Sequence, residues 1–132
     1  MIVSTIFISI LLSTASSETL LQEAQTNLIQ EQWEEAATIL DELAVSANAS
    51  PEVMYDRGIA HYNLGQFDIA SIAFEDAMST SENQKLRTHS AFNYGNSVFR
   101  KTMQELEGTG TATTSDEAIA AVKKAKDQIN LS

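Results

Sequence analysis

Cysteine is absent from this chain, which excludes a disulfide scaffold, thiolate metal ligation, thiol catalysis and a lipidated cysteine together. Positive charge is scarce. Eight Lys and Arg face eighteen Asp and Glu, a formal charge of −10, and such a surface repels nucleic acid and anionic membrane. The imbalance is uneven: residues 18–50 hold seven acids and no base, whereas residues 83–108 hold four bases and two acids. Only two histidines occur, His61 and His89, in no metal-spaced or triad-like pattern. The carboxylates form no paired acid–base arrangement, and Gly108-Thr109-Gly110 lacks the lysine and preceding strand of a phosphate-cradling loop. No enzyme, cofactor or metal is expected. Long hydrophobic runs are missing too, since the apolar stretch Ile2–Leu12 is too short to span a bilayer. It has the length of the hydrophobic part of a secretory signal, with Ala15-Ser16-Ser17 as a small-residue cleavage site. Residues 1–17 are therefore expected to be a signal peptide, and the rest to be exported to the periplasm or cell envelope with no membrane span of its own. The competing reading is an N-terminal helix that extends the array described next. Two glycosylation-like triplets, Asn48-Ala49-Ser50 and Asn130-Leu131-Ser132, are expected to stay unmodified.

What the sequence does contain is helical pattern. Pro51–Met78 reads as two amphipathic segments joined at Leu64-Gly65-Gln66, with small residues at Gly58, Ala60, Ala70, Ala73 and Ala77 where two helices would touch. Gly58 costs roughly 1 kcal/mol in a helix interior, so its presence predicts a close partner helix. Gly65 can adopt the positive φ that ends the first helix. The single proline, Pro51, follows Ser50 as a first helical residue follows its cap. A shift of 34 residues superposes Ala24 on Gly58, Trp33 on Phe67, Ala36 on Ala70, Leu40 on Phe74 and Leu43 on Ala77. An earlier pair is thus expected at Glu18–Ile29 and Trp33–Val45. A third opens near Gln84, where Gly95 takes the place of Gly58, and closes with a helix after Ser115-Asp116-Glu117. Between them the Gly/Thr-rich residues 107–114 predict an enlarged loop. The expectation is one all-α domain, residues 18–132, with repeats at about 18–50, 51–83 and 84–132.

A 34-residue period of paired helices with an Ala-x3-aromatic in the second resembles the tetratricopeptide repeat, TPR. The family's usual Trp, Leu and Tyr of the first helix are Met54, Arg57 and His61 here, and its repeat-closing Pro is Glu82. The string Phe92-Asn93-Tyr94-Gly95-Asn96 is in addition similar to exported bacterial TPR proteins of the Bacteroides aerotolerance (Bat) type, over residues 51–106. The resemblance implies a TPR-like α-solenoid of about three antiparallel helix pairs. It also implies an adaptor or scaffold role, with a von Willebrand A-domain membrane protein as partner class and no active site.

In such an array the first helix of each pair lines a concave groove. The residues expected on its wall are Tyr55, Ile59, Tyr62 and Asn63 from the central repeat, and Phe92, Asn93, Asn96, Phe99 and Arg100 from the third. Rings supply contact area at low entropy cost and amides bond a peptide backbone. Tyr55 and Phe92 stand where a lysine clamp for peptide carboxylates would sit in some TPR proteins, so a chaperone-tail clamp is not expected. The alternative function is self-association through the last helix, where Ile119, Val122 and Ile129 form an uncapped apolar face. A third reading, a small metal-binding or enzymatic protein, would use His61 or His89.

Overall fold

A computed structural model describes residues 16–109 and, beyond them, positions 116, 119, 120, 123, 124, 126 and 127. Among the described residues all regular structure is α-helical: α1 (Ser17–Ile29), α2 (Trp33–Ala44), α3 (Pro51–Asn63), α4 (Phe67–Thr80) and α5 (Gln84–Thr109). None of these helices is long and apolar enough to cross a membrane.

The helix ends follow from local chemistry. Ser16 and Ser50 cap α1 and α3, each hydroxyl oxygen accepting from the amide three residues on, Thr19 and Val53. At the far ends Glu31 and Gly65 adopt φ of 58° and 73°. There the amides of Gln32 and Gln66 reach back to the carbonyls of Asn27 and His61, both at 2.9 Å, while those of Glu31 and Gly65 bond Leu28 and Tyr62. This is a Schellman closure, which satisfies carbonyls that a helix end would otherwise leave bare. Every position in the first turn is matched by one 34 residues later, so the period read from side-chain size is also a period of backbone geometry.

The two turns differ in one respect. Gly65 carries no Cβ, but Glu31 holds a full side chain in the left-handed region, which costs roughly 1–2 kcal/mol. Glu31→Gly should stabilise the protein by about 1 kcal/mol and raise Tm by about 4 °C. An unchanged or lowered Tm in calorimetry would mean that the α1–α2 turn is not held in this conformation.

Small residues allow the helices to close on one another. Ala24, Ala36, Ala37, Leu40, Val53 and Ala60 form one buried cluster across α1, α2 and α3. Helix α4 buries Phe67, Ala70, Ala73, Phe74, Ala77 and Met78. The expected close partner of Gly58 is present: a Cβ there would lie 2.6 Å from the Phe74 ring. Gly58 with Phe74, and Tyr62 with Phe67, show α3 and α4 running antiparallel. Met78 with Ala91, and Phe67 with Arg100, show the same for α4 and α5. Helices α3 and α5 are consequently parallel and in contact, and α3 also touches α1 and α2.

Helix α5 has 26 residues, about twice the length of the others. It runs through Thr109 and so occupies the first part of the segment 107–114 expected to be a loop. Glu105, Leu106 and Glu107 favour helix, and Gly108 meets nothing within 4 Å, so the helix continues at the cost of propensity alone. Positions 110–115 lie outside the described residues. Of the expected final helix, positions 116, 119, 120, 123, 124, 126 and 127 are helical, and Lys124 pairs with Glu75 while lying 5.6 Å from the Tyr94 ring centre. Ile119 is exposed, whereas Val122 and Ile129 are outside the described set. The expected leader is outside it as well, except for Ser16 and Ser17, which form the cap and first residue of α1.

Candidate protein-binding face

Because α3 and α5 lie parallel and in contact, their outward stripes merge into one face. A hydrogen bond ties them: Asn93 Nδ2 donates to the Tyr55 hydroxyl oxygen at 3.2 Å. The Tyr55 ring is half-buried and packs edge-on against Phe74, centroids 5.6 Å apart. Burial raises the Tyr55 phenol pKa and nearby Asp56 adds to it, against the opposing bond from Asn93, so the hydroxyl stays protonated. Tyr55, Asn93, Phe92, His89 and Thr88 line a depression of about 430 Å³. Phe92 is 65 % exposed, Phe99 54 % and Met103 39 %, with half-buried Asn96 between the two rings. Positions 92, 96, 99 and 103 alternate steps of four and three and so share one side of α5.

The remaining expected residues fall at the other end of the face. Tyr62 packs edge-on against Phe67 at 5.1 Å, and the Arg100 guanidinium lies 5.1 Å from the centre of the same ring. Gln104 Nε2 donates to the Gly65 carbonyl at 3.2 Å, fastening the later turns of α5 to the α3–α4 turn. Asn63 donates to the Ile59 carbonyl of its own helix at 2.9 Å. The structure therefore brings Tyr55, Phe92 and Asn93 together, sets Asn96 and Phe99 beside them, and turns Tyr62 and Arg100 toward Phe67. Met103 was not among the expected residues, although the four–three spacing from Phe92 points to it.

Against protein-family models, curated proteins and solved structures, the chain has no match.

A second polar constellation joins α2 to α3. Asp41 Oδ1 accepts from Arg57 Nε at 2.6 Å and lies 2.9 Å from His61 Nε2, while His61 Nδ1 lies 2.5 Å from Gln66 Oε1. Partial burial pushes the Asp41 carboxyl up, but the bonds from Arg57 and His61 outweigh it and hold the pKa below its ordinary value. His61 is buried with a partner at each ring nitrogen, as its packing position implies. The cluster fills the places of two large apolar residues of the resembled repeat with a bonded polar group. Its members are 16 and 20 residues apart, a separation that carries no local sequence signal. Asp56 behaves oppositely: burial raises its carboxyl pKa despite the bond from Gln25, and Glu52 adds to the rise. Among the described residues no three His, Asp or Glu side chains are grouped so as to hold a metal.

Proposed function

We propose that this chain is a TPR-like binding module, an all-α adaptor whose α3–α5 face receives a segment of another polypeptide. The observation that carries the reading is the open aromatic stripe of α5, Phe92 and Phe99, set beside a Tyr55–Asn93 bond that fixes its distance from α3. Exposed rings of this size two turns apart on one side of a helix, with Met103 beyond them, make an apolar stripe uncommon on a surface that meets only water. The congruent 34-residue turns support a repeat array, with the helical positions after 116 as the second helix of a third pair. The resemblance to Bat-type proteins adds export to the envelope, with a von Willebrand A-domain membrane protein as partner class.

A photo-crosslinking residue at position 99, introduced in the producing cell, tests the reading. A discrete protein adduct is expected there, and none at Ile72, which is 56 % exposed on α4. Phe92→Ala with Asn96→Ala should remove the adduct while leaving helicity unchanged. An adduct no stronger at 99 than at 72 would overturn the proposal.

A further inference from the structure

We infer that the segment received by this face is α5 of a second copy of the chain, laid antiparallel across the stripe Phe92, Asn96, Phe99 and Met103. The inference rests on the binding-face reading above and names its occupant.

The stripe continues beyond those four residues with the same alternation of four and three, through Lys85 and His89 before it and Leu106 after it. A spacing of 3.5 is what one helix offers to another helix, and an extended peptide does not read it. Lys85, His89, Phe92, Phe99 and Met103 are exposed, and Asn96 and Leu106 are half-buried. The seam spans about 30 Å of α5 at about 1.5 Å per residue.

Charge selects both the occupant and its direction. Along this side α5 opens with Lys85 and closes beside the stripe with Glu107. A parallel copy would set Lys85 against Lys85 and His89 against His89. An antiparallel copy sets Phe92 across from Met103, Asn96 across from Phe99 and His89 across from Leu106, and brings Lys85 within a turn of Glu107. Two molecules of charge −10 repel most strongly through residues 18–50, which hold seven acids and no base. They repel least through residues 83–108, where bases outnumber acids four to two. A self-complementary contact of this kind closes as a two-fold dimer. The half-buried Tyr55, Ile59 and Tyr62 flank the seam and extend its area toward the roughly 800 Å² per partner typical of stable complexes. Lys124 meets Tyr94, which projects from the opposite side of α5, so this contact leaves the stripe uncovered.

The lack of cysteine makes the test direct. Full chains carrying Phe92→Cys and Met103→Cys are mixed and oxidised, and light scattering follows the unsubstituted protein through a dilution series. The mixed disulfide should dominate over both symmetric ones, and the protein should pass from dimer to monomer on dilution. Phe99→Asp, at an exposed position, should raise the dimer Kd at least about thirtyfold with unchanged circular dichroism. Predominance of the symmetric Phe92→Cys disulfide would overturn the antiparallel arrangement. A monomer throughout the series would overturn the second copy as occupant. The adduct at position 99 then judges the face separately: a different protein captured there leaves the binding face standing and this inference refuted.

Discussion

Phe74→Ala should cost about 3–5 kcal/mol, enough to unfold much of a protein whose total stability is of order 5–15 kcal/mol. The ring is fully buried, meets Tyr55 edge-on, and sits over Gly58 at a distance that leaves no room for a methyl group. Removing it leaves a cavity shared by α3 and α4, and neither helix can close the gap without losing the Gly65 turn that fixes their approach. Gly58→Ala probes the same contact from the other side. In the unsubstituted protein the new methyl would overpack a fully buried ring that has to shift to admit it, at about 1–3 kcal/mol, outweighing about 1 kcal/mol of helix propensity. In a Phe74→Ala background the collision is gone and the propensity gain remains, so the sign of the Gly58→Ala effect should reverse. Urea unfolding of the four proteins supplies the cycle. A Phe74→Ala cost below about 1 kcal/mol, or a Gly58→Ala effect independent of Phe74, would mean that α3 and α4 do not pack in this register.

Why this contact could be read from residue types, while others could not, has a physical basis. A glycine in a helix interior is unfavourable unless something occupies the space of its side chain, so Gly58 announces a close neighbour, and the small residues Ala70, Ala73 and Ala77 of the next segment say where the neighbour is. The caps are local in the same sense: Ser50 before Pro51 and Gly65 after Asn63 act through bonds spanning three to five residues. Glu31 is the exception. It takes the conformation of Gly65 because the surrounding turn imposes it, and a glutamate does not advertise a positive φ. Residues 107–109 are helical where a loop is expected, because Gly and Thr lower helix propensity without forbidding a helix. On the candidate face, Tyr55, Phe92 and Asn93 follow from helical spacing once the resembled repeat says which helices line it. The orientation of Tyr62 and Arg100 does not, because both depend on Phe67, a residue of α4 that reaches them only through the fold. The Asp41, Arg57 and His61 group is hidden for the same reason. Each residue alone looks like a departure from an apolar pattern, and only the approach of α2 to α3 makes them one unit.

Asp41→Ala should destabilise the protein by about 1–2 kcal/mol near neutral pH, and the deficit should fade in acid. The carboxylate is the common acceptor for Arg57 and His61, and its loss leaves two donors on α3 facing the end of α2 without their partner. Hydrogen bonds to charged groups carry roughly 1.5–3 kcal/mol when intact, but Asp41 is 44 % exposed and water replaces part of what is lost, so the lower part of that range applies. The pH dependence follows from the direction of the Asp41 shift. Its folded pKa lies below the unfolded one, so the folded state gains from ionised Asp41 at every pH above the unfolded value. That contribution is lost as pH falls through the folded value, where the carboxyl gains a proton in both states. Thermal melts of the wild type and Asp41→Ala should therefore differ most near pH 7 and converge only in acid below the ordinary aspartate value. Asp56 titrates with the opposite sign, but it is present in both proteins and cancels in the difference. A deficit that stayed constant down to the lowest pH would show that Asp41 stabilises the α2–α3 joint by packing. A deficit that vanishes in acid would identify its charge, bonded to Arg57 and His61, as what holds α2 against α3 and so against the helices of the candidate face.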